Sequence, residues 1–69
     1  MTPEEYKLRR IEEIAEVFIE WAESDEKAQN LFAPYSKDIS NWHKGRAEAY
    51  RLAANWIKET LQLWRSYTY

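Results

Sequence analysis

Two long segments of the chain carry apolar side chains around more than half of their circumference, and this feature constrains the fold most. In the first segment the apolar residues follow steps of three and four along two neighbouring lines: Leu8, Ile11, Ala15, Phe18 and Ala22, then Ile14, Val17 and Trp21, with Ile19 at the edge. On a helix these positions cover an arc of about 200°. A helix that packs on one neighbour needs an apolar stripe of only about 100°.

The second segment repeats this arrangement with more aromatic residues. Its main line has a heptad-like spacing, and a second line lies beside it: His43, Ala47, Tyr50, Ala54, Ile57, Leu61 and Trp64, then Trp42, Ala49, Trp56, Leu63 and Tyr67. Two such helices cannot hide all of this surface against each other, and a monomer rarely exposes apolar patches of this size. We therefore predict an all-α helical hairpin of two long amphipathic helices with a short intervening helix, completing a four-helix bundle as a homodimer. The alternative is a compact monomer in which the short helix and the aromatic tail cover the excess.

Local signals place the boundaries of these helices. Thr2 can cap the first helix and begin a capping box, and Ser24, followed by acidic residues, is typical of a fresh helix start. Pro34 should stop the short helix, and Ser36 or Ser40 can cap the last one. Within a single helical domain over 1–69, the predicted elements are a helix over about 3–23, a short helix over about 25–33 and a helix over about 40–66.

Composition excludes several kinds of site. The 69 residues include no cysteine, one histidine and one glycine. Disulfides, thiolate metal sites, histidine-rich metal cages and glycine-rich phosphate loops are therefore excluded. Di-iron bundles use a histidine three residues after a glutamate, and no glutamate here has one. We expect neither a metal nor a cofactor.

The sequence also lacks the usual signals for secretion or membrane insertion. Glu4 and Glu5 come before any apolar run, so no signal peptide is expected after Met1. The most apolar stretch, IAEVFIEWA, is interrupted by glutamates and is too short to cross a bilayer. We expect a cytoplasmic protein that does not contact membranes.

The net charge of −2 hides an uneven distribution. Residues 1–35 carry four basic and nine acidic side chains, whereas residues 36–69 carry six basic and three acidic ones. Four basic residues of the last helix lie seven apart and form a candidate partner surface: Lys44, Arg51, Lys58 and Arg65. Glu48, Asn55 and Gln62 interleave with this row, which favours a solvated helix face over a phosphate-binding track, so nucleic acid is not an expected partner.

A cluster of unlike side chains at the start of the last helix is the candidate ligand or partner site: Trp42, His43, Arg46 and Tyr50. Arg46 faces the apolar arc, and an arginine there needs an anionic or carbonyl partner. One interpretation is an ion pair between helices or subunits, and the candidate carboxylates are Glu23, Glu26 and Asp38. The other is an anion or nucleotide pocket in which Arg46 supplies charge, His43 donates and the aromatic rings stack. No nucleophile accompanies His43 in a catalytic motif, so we do not expect an enzyme.

The run HKGRAEAYRLAANWI resembles a pattern in short uncharacterised helical proteins of bacteriophages and mobile elements, where a glycine, basic and small residues open a long C-terminal helix. Phage proteins of this size often act as stoichiometric inhibitors or ligand-sequestering proteins against host defence systems. The resemblance covers 43–57 and assigns no functional residues to this chain.

These observations predict a small non-catalytic binding protein. Its specific form would be a phage-encoded inhibitor of a host defence complex or enzyme that acts by protein–protein interaction. One alternative is an oligomeric protein that sequesters a small anionic ligand such as a nucleotide, and another is a structural assembly module. The expected partners are a second copy of the chain and another protein.

Overall fold

The computed structural model describes residues 2–68, with side chains as far as Ser66. Two helices, α1 (Pro3–Phe32) and α2 (Lys37–Thr68), run antiparallel and pack along their length as a hairpin. The hairpin is a single layer whose extents are 50 × 19 × 10 Å. The prediction of an all-α hairpin of two long helices is confirmed.

Helix α1 begins with the predicted capping box. The Thr2 hydroxyl accepts a hydrogen bond from the Glu5 N–H at 3.1 Å, and the Glu5 carboxylate accepts one from the Thr2 N–H at 3.4 Å. Pro3 occupies the first turn, where its missing N–H costs nothing, and the acidic residues there complement the helix dipole.

The predicted separate helix over 25–33 is wrong, because α1 continues through Ser24 without a break. No glycine or proline interrupts the chain at this point, so nothing prevents the helix from propagating. The acidic residue after Ser24, Asp25, does not lie in the first turn of a new helix, where it would complement the helix dipole. Asp25 is buried against α2, with 2% of its surface exposed.

The turn between the helices is short and uses local caps. The Ser36 N–H donates to the Phe32 carbonyl at 2.8 Å, and the Ser36 hydroxyl accepts from the Ile39 N–H at 3.3 Å. Ser36 is therefore the cap of α2, which begins at Lys37 instead of near residue 40. Ser40 is buried inside the helix pair and donates its hydroxyl to the Gln29 carbonyl at 3.0 Å.

The seam between the helices consists mainly of small side chains at every seventh position. Its buried apolar members are Leu8, Ala15 and Ala22 on α1 and Ala47, Ala54 and Leu61 on α2. A seven-residue spacing keeps one stripe of each helix facing its partner, and alanine lets the two backbones approach closely. The larger apolar side chains consequently lie beside the seam and remain exposed.

The hairpin has two faces of opposite character. We define the ion-paired face by three pairs across the helices: Glu12–Arg65, Glu16–Lys58 and Glu26–Arg51. We define the apolar face by six exposed side chains on the other side: Ile11, Ile14, Val17 and Trp21 on α1, and Trp42 and Trp56 on α2. Neither helix, over the residues described, has a stretch long and apolar enough to cross a membrane.

Candidate functional site

The apolar face is the part of the hairpin where large apolar side chains stay exposed after the two helices have packed together. Its six defining side chains expose between 38% and 72% of their surface, and Trp56 is the most exposed of them. On α1 the four side chains follow steps of three and four and form one stripe, and on α2 Trp42 and Trp56 lie fourteen residues apart on the same side of the helix. A band of this extent on a folded protein is typical of an interaction site.

Shallow grooves separate the side chains of this face. One groove of about 380 Å³ lies between the helices. It is lined by Ile11 of α1 and, on the other side, by residues of α2 that include Ala53, Trp56 and Ile57. A second groove, of about 250 Å³, follows α1 past Ile14 towards Trp21. Ridges and grooves of this kind are the surface relief into which helices of another layer pack.

An aromatic cluster at the middle of the face fixes the position of Trp21. The Phe18 and Tyr50 rings stack at 5.9 Å between centroids with an interplanar angle of 20°, and Trp21 lies 5.5 Å from each of them. Ring pairs at these separations attract one another beyond their buried area. The indole of Trp21 is therefore held in place even though half of it is exposed.

A polar cluster adjoins these rings on the side of the interhelical turn. The Asp25 carboxylate accepts one hydrogen bond from His43 Nδ1 at 3.0 Å and another from Arg46 Nε at 2.8 Å. Because an ionised carboxylate can only accept, His43 carries its proton on Nδ1 in this arrangement. Asp25 thus joins α1 to α2 with both of its oxygens.

Aromatic rings surround this polar cluster. The Arg46 guanidinium lies over the Trp42 ring at 4.5 Å and within 5.8 Å of the Tyr50 ring centroid. The His43 imidazole stacks on Phe32 at 5.8 Å with nearly parallel planes and meets the edge of Trp42 at 4.9 Å. The cation–π contacts hold the guanidinium on the apolar face instead of extending it into water.

The charges of this cluster compensate each other. The hydrogen bond from Arg46 lowers the pKa of the Asp25 carboxyl below its ordinary value of 3.8, burial opposes this change, and the bond from His43 adds to it. The same contact raises the pKa of Arg46. Asp25 and Arg46 are therefore both charged at neutral pH, and their sum is zero.

The neighbours of His43 can be compared with those of a catalytic histidine. A carboxylate that orients a histidine is part of many nucleophilic sites, but such a site also needs a hydroxyl or thiol bonded to the imidazole. Among the described residues, no hydroxyl bonds to His43, and the nearby Ser40 hydroxyl is engaged by Gln29. In the same part of the chain, no group of three acidic or histidine side chains is placed to hold a metal ion.

The structure brings together all four residues of the candidate ligand or partner site. Trp42, His43, Arg46 and Tyr50 form one connected cluster on the apolar side of α2. The carboxylate that completes it is Asp25, not Glu23, Glu26 or Asp38 as expected. A signal was present in the sequence, because Asp25 follows Phe18 by seven residues and so lies on the apolar arc of α1, where a carboxylate is unusual.

The basic row of α2 lies along the ion-paired face. Arg51 binds the Glu26 carboxylate with two nitrogens, at 2.7 and 2.6 Å, and lowers the pKa of that carboxyl. Lys58 contacts Glu16 at 2.8 Å, and Arg65 pairs with Glu12. Three of the four residues in the row, which also includes Lys44, thus have carboxylate partners on α1.

Comparison with known proteins adds no relative. The chain matches no known protein family, no curated protein and no solved structure. The function proposed for this chain therefore rests on the geometry of the hairpin itself.

Proposed function

We propose that this chain is a non-catalytic binding protein that works by laying its apolar face against another helical surface. A second helical layer on this face would give a four-helix bundle, in which four helices bury what two leave exposed. The single observation that carries this proposal is the band of large apolar side chains along one side of a folded hairpin, with Trp56 exposed over 72% of its surface.

The relief and charge of the face support this function. Fixed aromatic side chains at the centre of an interface are the residues that most often dominate binding energy, and Trp21 is already held by Phe18 and Tyr50. The charged groups beside them, Asp25 and Arg46, neutralise each other, so that covering them does not bury a net charge.

An inhibitor of a host protein complex is the specific form that the resemblance to phage proteins favours. In that form the partner's helices would occupy the grooves beside Trp56 and Trp21, and binding would be stoichiometric. A ligand-sequestering role at Arg46 has weaker support. Its Nε is bonded to Asp25, and the pair offers no net positive charge to an anion.

Site-specific photo-crosslinking tests the proposal in the cells from which the chain comes. A photoreactive phenylalanine analogue replaces either Trp56 on the apolar face or Asn55, its neighbour in sequence on the other side of α2. We expect a discrete adduct from position 56 and little or none from position 55. Equal labelling from the two positions, or none from position 56, would contradict the proposal.

A further inference from the structure

The accessible surface of the chain is too large for a finished monomer. It measures 5609 Å². A compact folded monomer of 8.4 kDa exposes about 4,600 Å². The excess of about 1,000 Å² arises because the hairpin is one layer thick, with a shortest extent of 10 Å.

This excess has the size of one side of a protein interface. Stable interfaces bury about 800 Å² on each partner, and those of obligate homodimers are larger and more apolar. A second hairpin of the same kind, laid on the apolar face, would remove an area of this size from each copy. From this agreement, and resting on the proposed function, we infer that the partner on the apolar face is a second copy of this chain.

The charge distribution suits an identical partner. In a two-fold interface each patch meets its own copy, so any net charge on the patch would repel itself. On the apolar face the Asp25–Arg46 pair has a net charge of zero, and its guanidinium is already placed over Trp42. On the ion-paired face, by contrast, three carboxylates of α1 already pair with basic side chains of α2 within one hairpin.

The relief of the face is also self-complementary. Trp56 projects from α2 beside the 380 Å³ groove that it shares with Ile11 and Ile57. Over the residues described, no ring pair involves the Trp56 indole, and 72% of the surface of this residue is exposed. In a two-fold dimer each copy supplies both projecting indoles and apolar grooves, which is the requirement for interlocking.

Sedimentation velocity of the purified full chain tests this inference. The wild type should sediment at twice the chain mass of 8.4 kDa at micromolar concentration. Trp56→Glu should weaken association by about 30-fold or more, because it places a charge at the centre of an apolar interface. Asn55→Glu adds the same charge to the adjacent residue on the other side of α2 and should leave the dimer intact.

Circular dichroism of each variant separates dissociation from unfolding. Trp56→Glu should keep its helicity, since the indole is mostly exposed in the hairpin, and Ile14→Glu on α1 gives a second variant of the same face. A folded wild type of single-chain mass up to millimolar concentration would overturn the inference, as would a dimer that both variants leave unchanged. A monomer that still crosslinks from position 56 to a different protein would overturn only the second-copy inference and would leave the proposed function standing.

Discussion

The ion-paired face and the apolar face lie on opposite sides of the same two helices, but they differ in how far contacts within the hairpin satisfy their side chains. On the ion-paired face each of three carboxylates of α1 already contacts a base of α2, and water solvates the rest. On the apolar face the large side chains pack partly on one another and remain exposed. Its charged groups include the Asp25 cluster and the Arg10–Glu13 pair beside Ile14.

The two faces therefore contribute differently to the stability of the hairpin. The exposed ion pairs connect α1 and α2 but contribute little to stability, because water competes for them. The alanine seam buries little area, and the large side chains of the apolar face remain exposed and available for further burial. A partner on that face would therefore add both function and stability.

The largest effect should come from the carboxylate that belongs to the apolar face. Asp25→Ala leaves the half-exposed Arg46 and the mostly buried His43 without their shared acceptor, so we expect a marked loss of stability. We also expect a loss of association, since a lone positive charge then lies on the face. Glu16→Ala is the matched control on the ion-paired face and should cost about 0–1 kcal/mol. Urea unfolding of both variants measures the difference, and equal losses would contradict the distinction between the faces.

Acid should remove the contribution of the Asp25 carboxylate to stability. The folded-state pKa of Asp25 lies below its ordinary value of 3.8, so its contribution to stability is present above that value and disappears as the pH falls through the lower folded pKa. The pKa of Glu26 is lowered by Arg51 in the same sense, from 4.5. We expect the stability gap between wild type and Asp25→Ala to shrink between pH 5 and acid pH in urea titrations. A gap that is independent of pH would show that the carboxylate charge is not what Asp25 contributes.

Raising the salt concentration should affect the two faces differently, and the change in stability should be smaller than that caused by Asp25→Ala. Raising ionic strength from 0.1 to 1 M shortens the screening length from about 10 to about 3 Å, which weakens exposed ion pairs. We expect a slight fall in the urea midpoint of the hairpin and no weakening of association measured by sedimentation, because the proposed interface is apolar. Dissociation at high salt would indicate that charged side chains hold the partner instead.

The smallest effect should come from a position outside both faces. Gly45 lies in the interior of α2, and a Cβ built there meets no atom within 4 Å. Gly45→Ala should therefore stabilise the helix by up to about 1 kcal/mol and leave association unchanged. A loss of dimer in this variant, seen by sedimentation, would place a partner against a surface that the apolar-face interface leaves open.

Local chemistry in the sequence was sufficient to predict the ends of the hairpin and its helical class. The capping box at Thr2, the stop near Pro34 and the cap at Ser36 depend on a few neighbouring residues, and the structure has all three. Ser24 misled the prediction because a cap residue followed by acidic residues also occurs within continuous helices. Its local preference is too weak to break α1 when helix-forming residues lie on both sides.

The contents of the site depended only in part on the sequence pattern. The apolar arcs predicted that His43 and Arg46 would face the other helix and contained Asp25 as an unusual carboxylate, but they do not give the register that brings these residues together. The register of the alanine seam sets Asp25 opposite both residues and leaves Glu26 to Arg51. A wide apolar arc likewise does not reveal which of its stripes is used within the chain and which remains exposed.

The emission of the four tryptophans tests the central claim most directly. Trp21, Trp42 and Trp56 belong to the apolar face, and Trp64 follows the groove residue Ile57 by seven positions. If this face is covered in solution, the purified chain at micromolar concentration should give blue-shifted emission that resists quenching by acrylamide, and dilution or Trp56→Glu should reverse both. Emission and quenching like those of free tryptophan, from a fully helical sample at every concentration, would contradict the account.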